Sequence, residues 1–358
     1  MKNSKTKKEW MGYIVLLSIS IIFTFTYTLQ SVSAGEAYKF LHDPVHVKYH
    51  NKIMTRAQQF SPDGKTCVIV NAPATIQIYN TQSWRLIKSF QIDTNPIMAV
   101  AYSPDGKLIA TGGYKKGDIL IWEVAQGKVV KKLTEVQSIV SLDFSPSGRY
   151  LVSSEIIEKH NGTSSVKLWN LKSGKLIKRI FHEKVSNYYP AQVRYSPDEG
   201  LIAIAFANNK RGIGIFDFKT RKMYTIPTKD DVYAIDFNPV RLVLASGGGS
   251  GGNTVIQTWN VRTRKQIKEM SGYKGFINSI QYTPDGKYIV STAAERKVRF
   301  RVTEAGSGVE VQVRTTKSRQ KSSGMSMSPD GRLISVHLTS TGNLGNPPTI
   351  EFYTVGND

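Results

Sequence analysis

Ser61-Pro62-Asp63-Gly64 is the first of seven copies of one short stretch of sequence. The others are Ser103-Pro104-Asp105-Gly106, Ser145-Pro146-Ser147-Gly148, Ser196-Pro197-Asp198, Asn238-Pro239, Thr283-Pro284-Asp285-Gly286 and Ser328-Pro329-Asp330-Gly331. Successive prolines lie 42, 42, 51, 42, 45 and 45 residues apart. Proline presets the backbone angle at the second position of a tight turn, aspartate bonds back to the main chain, and glycine accepts the positive dihedral that ends the turn. Each copy therefore reads as a bend between two strands.

Outward from the bend, both flanks have strand period. Ahead of it comes an alternating segment ending in an aromatic residue, as in Ala99-Val100-Ala101-Tyr102 and Ser141-Leu142-Asp143-Phe144, and behind it an apolar run such as Leu108-Ile109-Ala110-Thr111. A third strand follows, at Ile76 to Tyr79, Ile119 to Trp122, Val166 to Trp169, Ile213 to Phe216, Ile256 to Trp259, Val298 to Arg301 and Ile350 to Tyr353. A lysine-rich fourth strand comes after a short polar turn, for example Lys128-Val129-Val130-Lys131-Lys132-Leu133. Four strands per unit of about 45 residues is the pattern of a propeller blade. The expected fold is all-β, a seven-bladed β-propeller of four-stranded antiparallel blades, with six or eight blades as the runner-up. The seventh unit stops after its third strand, so Pro44 to His50, which has strand period, is expected to supply the missing outer strand and close the ring.

The third-strand endings Trp122-Glu123, Trp169-Asn170, Phe216-Asp217 and Trp259-Asn260 stand where WD-repeat proteins have their Trp-Asp pair, and over residues 44–355 the chain resembles that family. The family's Gly-His before each first strand is absent, with Gly272-Tyr273 the nearest approach, and only Phe216-Asp217 keeps the acid as aspartate. The resemblance implies a ring whose loops present a composite binding surface, and it implies protein partners.

Ahead of the repeats, Lys2, Lys5, Lys7 and Lys8 precede an uncharged stretch from Trp10 to Leu29, and Val32-Ser33-Ala34 follows. This is the layout of a signal peptide, or of an uncleaved anchor, since the stretch approaches the roughly 20 residues of a membrane-spanning helix. Residues 1–34 are thus expected to be a signal peptide or membrane anchor, 35–43 a linker and 44–358 the propeller. The ring is expected outside the cytoplasm, periplasmic or extracellular.

Catalytic signatures are missing. Cys67 is the single cysteine, so no intrachain disulfide or paired-cysteine zinc site can form. The histidines, His42, His46, His50, His160, His182 and His337, have no recurrent metal-ligand spacing. No Gly-x-Ser-x-Gly or His-Glu-x-x-His occurs. The turn aspartates recur in nearly every unit, which marks them as structural. Gly247 to Gly252 lacks the lysine and following helix of a phosphate loop and reads as a linker between strands. No cofactor or metal is expected, and the reading is a non-catalytic interaction or assembly scaffold at the cell envelope. The alternative is a periplasmic propeller enzyme of the quinoprotein or lactonase type with an unrecognised cofactor site.

Lysine and arginine exceed aspartate and glutamate by 48 to 27, for a net charge of +21, which favours acidic partners. In the turns between third and fourth strands the excess is concentrated on three consecutive units: Lys172 and Lys175, then Lys219, Arg221 and Lys222 against Asp217, then Arg262, Arg264 and Lys265. These add to +7 on one expected arc. On the opposite face the loops around Ser154 to Ser165, His182 to Ala191 and Leu338 to Thr349 vary most, and that face is expected to carry Tyr188, Tyr189 and Tyr273, aromatics of the kind enriched at interfaces. The expected partners of this monomeric ring are a protein, an anionic lipid or an envelope polymer, with nucleic acid disfavoured by the compartment.

Overall fold

The computed structural model describes residues 39–40, 45–48, 55–71, 75–91, 96–114, 118–134, 136–156, 163–184, 189–208, 211–249, 254–295, 297–316, 320–340 and 349–356, and their regular elements are all β-strands. Two short strands come first, β1 (Lys39–Phe40) and β2 (Val45–Lys48). Blade 1 holds β3 (Thr55–Phe60), β4 (Thr66–Asn71), β5 (Thr75–Asn80) and β6 (Leu86–Gln91). Blade 2 holds β7 (Ile97–Tyr102), β8 (Leu108–Gly113), β9 (Ile119–Glu123) and β10 (Lys128–Leu133). Blade 3 holds β11 (Ser138–Phe144), β12 (Tyr150–Ile156), β13 (Thr163–Asn170) and β14 (Lys175–Lys184). Blade 4 holds β15 (Tyr189–Tyr195), β16 (Leu201–Ala207), β17 (Ile213–Asp217) and β18 (Lys222–Ile226). Blade 5 holds β19 (Val232–Phe237), β20 (Val243–Gly248), β21 (Thr254–Asn260) and β22 (Lys265–Tyr273). Blade 6 holds β23 (Phe276–Tyr282), β24 (Tyr288–Ala294), β25 (Arg299–Glu304) and β26 (Glu310–Thr315). Blade 7 holds β27 (Gln320–Met327), β28 (Leu333–Ser340) and β29 (Thr349–Gly356).

Within each blade the strands pair antiparallel in chain order. The first strands neighbour one another around the ring, with β27 returning to β3. Closure is as the sequence predicts: β2 pairs antiparallel along β29, Val45 opposite Phe352 and Lys48 opposite Thr349. A second patch lies further along the same edge, where Lys39 and Phe40 of β1 face Gly356 and Val355.

Each sheet is covered on both faces by its neighbours, which is why strands such as Leu201–Ala207 are apolar and buried at every position. The apolar core is divided among seven seams. Val68, Ile78, Ile97 and Trp122 fill the seam between blades 1 and 2, and Phe60, Tyr79, Ile350 and Phe352 fill the closing seam between blades 7 and 1. The glycines written as a linker belong partly to this packing. Gly247 and Gly248 are in β20, and a Cβ on Gly247 would lie 2.8 Å from Ile280 of blade 6.

The repeated bend forms as its residues require. Ser61 donates its hydroxyl to Asp63 at 2.6 Å, the same carboxylate accepts the Lys65 N–H at 3.0 Å, and Gly64 takes φ +69°. The serine hydroxyl, with the backbone N–H of Lys65, holds the Asp63 carboxyl below its ordinary pKa against the opposing effect of burial. Indole nitrogens are satisfied inside the sheets: Trp122 donates to Thr111 at 2.9 Å, Trp169 to Ser153 at 3.0 Å and Trp259 to Ser246 at 2.8 Å. In blade 6 the register shows that the expected strand ending at Arg301 was placed two residues early. Thr303 is opposite Ile289 as Trp169 is opposite Leu151, so Thr303 holds the tryptophan position.

Bulges recur as regularly as turns. The first strand of every blade slips register by one residue at the same point, so that Arg56, Met98, Val140, Ala191, Tyr233, Asn278 and Ser323 form the bulges. Outer strands bulge too, at Ile87, Val130, Ile177, Ile267 and Val311. Bulges twist an exposed edge away from regular pairing.

Candidate interaction surface

In blades 3, 4 and 5 the last residue of the third strand builds the turn that bears the positive charge. Asn170 Oδ1 accepts the Ser173 N–H at 2.9 Å, Asp217 Oδ1 accepts Lys219 and Thr220 N–H at 2.7 and 3.0 Å, and Asn260 Oδ1 accepts the Thr263 N–H at 2.9 Å. The acid or amide of the repeat thus caps its own turn, and Asp217, the one carboxylate among these turns, is engaged with backbone. Each such turn is tied to the proline turn of its own blade, Leu171 N–H to Arg149 O at 3.0 Å and Phe218 N–H to Gly200 O at 3.1 Å. Both sets of turns therefore share one face of the ring.

Lys172, Lys175, Lys219, Arg221, Lys222, Arg262, Arg264 and Lys265 are all exposed on that face, on blades 3, 4 and 5. None of the eight forms a salt bridge among the described residues. The proline turns of blades 3 and 5 carry no acid, with Ser147 and Val240 where other blades have aspartate, whereas blade 4 carries Asp198 and Glu199, the latter accepting the Ser147 hydroxyl at 2.8 Å. Arg262 adds to the effects that lower the Asp198 carboxyl, the largest being the Ser196 hydroxyl. Arg221 and Arg264 have left-handed backbone, φ 57° and 60°, and the Arg264 guanidinium carbon lies 4.3 Å from the centre of the Tyr224 ring.

The lysines of the outer strands serve the seams. Lys88 donates to Val124 O at 3.0 Å and also to Ala125 O, while Lys131 donates to Lys172 O at 2.7 Å, each reaching the turn of the next blade. Lys178 sits over the Phe216 ring at 5.0 Å.

On the opposite face the aromatic expectation changes. Tyr188 lies outside the described residues, and Tyr189, at the start of β15, is half-buried with its hydroxyl pKa raised, first by burial and then by Asp231. Tyr273 is corrected: it is 1% exposed, bonds Ser291 at 2.7 Å and lies under the Arg301 guanidinium at 4.1 Å. A side chain that fills a seam offers nothing to a partner arriving from solvent. The aromatics that reach solvent near this mouth are instead Phe276, 44% exposed, and the half-buried bulge residue Tyr233, in edge contact with it at 6.2 Å. The tips of the three variable loops lie outside the described residues, and strands extend into all three further than expected, β12 to Ile156 and β14 to Lys184.

The central channel holds a cavity of about 220 Å³ lined by residues including Gln58, Ser141, Gln192, Arg194, Asn278 and His337. Burial lowers the His337 pKa to about 4. Asp143 and Asp236, half-buried, accept the N–H of Tyr195 and of Tyr282 at 2.8 Å, each across a seam. Burial raises their carboxyls to about 6 and about 7, and Arg194 pulls both the other way. Arg194 and Asp236 carry no motif in the sequence, and their one signal is position, each standing one residue before the aromatic that ends a first strand. Among the described residues no group of three His, Cys, Asp or Glu is placed to hold a metal ion. The side chain of His46 and the whole of His50 are not among those described.

A ring of seven four-stranded blades, three of whose third strands carry a buried tryptophan, defines a WD-repeat β-propeller, and the chain is a member of that class. Residues 264–300 match the family of WD domain G-beta repeats, and residues 27–188 match the eukaryotic translation initiation factor eIF2A family. The chain is similar to periodic tryptophan protein 2 of Saccharomyces cerevisiae, 20% identical over 292 residues, which is 81% of this chain and 30% of that protein. It is similar to the small ribosomal subunit protein RACK1y of Oryza sativa subsp. japonica, 33% identical over 117 residues and 32% of each chain. SEC12-like protein 2 of Arabidopsis thaliana is 23% identical over 62% of this chain and 55% of that protein. The chain spans about a third of the length of the first of these relatives.

These relatives correct the placement outside the cytoplasm. A translation initiation factor family and small ribosomal subunit proteins point to the cytoplasm or nucleus, not to export. Lysines ahead of an uncharged stretch are a pattern of composition, and composition measures how apolar a segment is, not what reads it. The initiation-factor match begins at residue 27, inside the stretch taken as an address. Among the described residues no helix is long and apolar enough to cross a membrane.

Proposed function

We propose that this chain is a non-catalytic interaction ring whose basic arc on blades 3 to 5 docks an acidic segment of a partner protein. The observation that carries this reading is the arc itself: eight exposed cations on three adjoining blades of one face, with no protein carboxylate in a salt bridge to any of them among the described residues. A folded protein gains nothing from clustering like charges, and the outer-strand lysines that secure the seams belong to a different set. The WD-repeat relatives favour a protein partner over a reaction.

The test is the triple variant Arg221→Glu, Arg262→Glu and Arg264→Glu, compared with the wild type for binding to a fluorescent glutamate-rich peptide at low salt. Wild-type binding should weaken steeply with added salt because exposed charges are screened within about 10 Å at 0.1 M, and the variant should bind at least about tenfold more weakly. Unchanged binding by a folded variant refutes the docking face. Tighter binding of a single-stranded RNA of equal charge than of the peptide moves the partner to nucleic acid.

A further inference from the structure

In the turn between third and fourth strands, the residue with left-handed backbone faces the outer strand of the preceding blade. Where it is glycine there is little room: a Cβ on Gly174 would lie 3.1 Å from Lys131, and one on Gly308 3.2 Å from Lys268. Where it carries a side chain, that side chain can lie back across the seam. Trp84 of blade 1, at φ 54°, packs at a 33° tilt against Phe352 in the third strand of blade 7, with ring centres 3.7 Å apart. Arg264 of blade 5 also reaches back across its seam, to Tyr224 in the outer strand of blade 4.

Tyr224 is held at its far end as well, because its hydroxyl donates to Val261 O at 3.0 Å, in the same turn as Arg264. The ring therefore cannot swing away from the guanidinium without losing a hydrogen bond. A ring under the cation covers one face of the guanidinium plane and uses none of its N–H donors. The Arg264 side chain donates to no protein acceptor among the described residues, and the whole residue is exposed. Arg262 and Lys265 flank it in the turn. Arg221 holds the same turn position in blade 4, at φ 57°, with no ring contact among the described residues.

We propose that the seam between blades 4 and 5 is a carboxylate-binding site, in which Tyr224 holds the Arg264 guanidinium flat so that its N–H edge takes an aspartate or glutamate side chain of the partner in two parallel hydrogen bonds. This rests on the acidic-partner reading above and gives it a specific anchor. Planar, bidentate recognition of a carboxylate is what guanidinium does and ammonium does not, and fixing the group in advance removes part of the ordering cost of binding. Arg264 is the anchor, Tyr224 a positioning residue, and Arg262 and Lys265 supply field rather than geometry.

The experiment measures binding of a fluorescent glutamate-rich peptide to the full chain and its variants across a salt series. Arg264→Lys keeps the charge and removes the fork, so affinity should fall about tenfold, on the order of one charge-assisted hydrogen bond, while the dependence on salt stays parallel to the wild type. Arg85→Lys, in the corresponding turn of blade 1 and outside the arc, should be silent. Tyr224→Leu should weaken binding as Arg264→Lys does, and Tyr224→Phe, which keeps the ring but gives up the bond to Val261 O, should fall between Tyr224→Leu and the wild type. If Tyr224→Leu fails to fold, the contrast between Arg264→Lys and Arg85→Lys still decides. Wild-type affinity in Arg264→Lys overturns the site, as does a phosphoserine peptide of equal charge displacing the glutamate peptide more than tenfold better. Loss of binding in the triple reversal together with a silent Arg264→Lys leaves the docking face standing and removes only the carboxylate site.

Discussion

Asp143 and Asp236 show at the scale of single residues what the ring's interior costs. Neighbouring first strands leave backbone N–H groups without a ladder, and these two carboxylates accept one each across a seam, at 2.8 Å. Burial is the dominant effect on both and holds the proton on, to about 6 for Asp143 and about 7 for Asp236, with Arg194 opposing. The unfolded chain releases the same protons near the ordinary value of 3.8. Between those limits the folded state binds more protons than the unfolded state, so stability falls as pH rises through the window and levels off above the folded value. Asp236→Asn keeps an oxygen for the Tyr282 N–H and removes the charge. Relative to the wild type it should gain roughly 2–3 kcal/mol between pH 5 and pH 8, at about 1.4 kcal/mol per unit. Urea unfolding at the two pH values checks it, and a constant difference would show that the carboxyl titrates normally.

Strands and turns were the most readable level, because their chemistry is local. A serine, proline, aspartate and glycine in order are enough to bend a chain, and seven such bends at near-constant spacing leave few folds open. Closure was readable as arithmetic, one strand missing at one end and one spare at the other. What escaped was whatever depends on depth or on two blades at once. Tyr273 and Tyr233 look alike in sequence, but a register slip turns Tyr233 to the mouth while Tyr273 ends under Arg301. The blade 6 strand was misplaced because Arg301, at a buried position, resembles an ending, and the true tryptophan position is a threonine. The stacking of Arg264 on Tyr224 joins residues 40 apart in separate units, and no repeat pattern announces it. The exported placement failed for a different reason, since it came from the composition of a segment and not from the fold. Closure also allows a test at this scale. Deleting residues 40–52 removes β2 and half of β1, leaving the edge of β29 open to other chains. The truncated protein should melt at least about 5 °C lower and form oligomers on a sizing column; a monomer with the wild-type melting temperature would mean that the ring is closed by something else.

For the whole molecule, the seven seams divide one core into seven, each made by two adjoining blades, so that no blade can leave without opening two of them. The basic arc occupies three of those blades, so its spacing is set by the packing beneath it. The strand pairing that joins the two ends of the described chain is that of β1 and β2 with β29. Lys39 faces Gly356, the pair nearest to both ends of the closing strands, and the pairing runs inward from there to Lys48 opposite Thr349. Tension applied through residues 39 and 356 would load these contacts one after another, as a zipper is drawn, whereas tension across blade 4 through residues 189 and 226 must strain a whole sheet held in two seams. The ring should therefore yield first at its closure under pulling, in a low-force event ahead of the blade ruptures, and a disulfide linking residues 46 and 351, which face each other in that pairing, should stop that event once the pairs outside it have opened and leave the later ones in place.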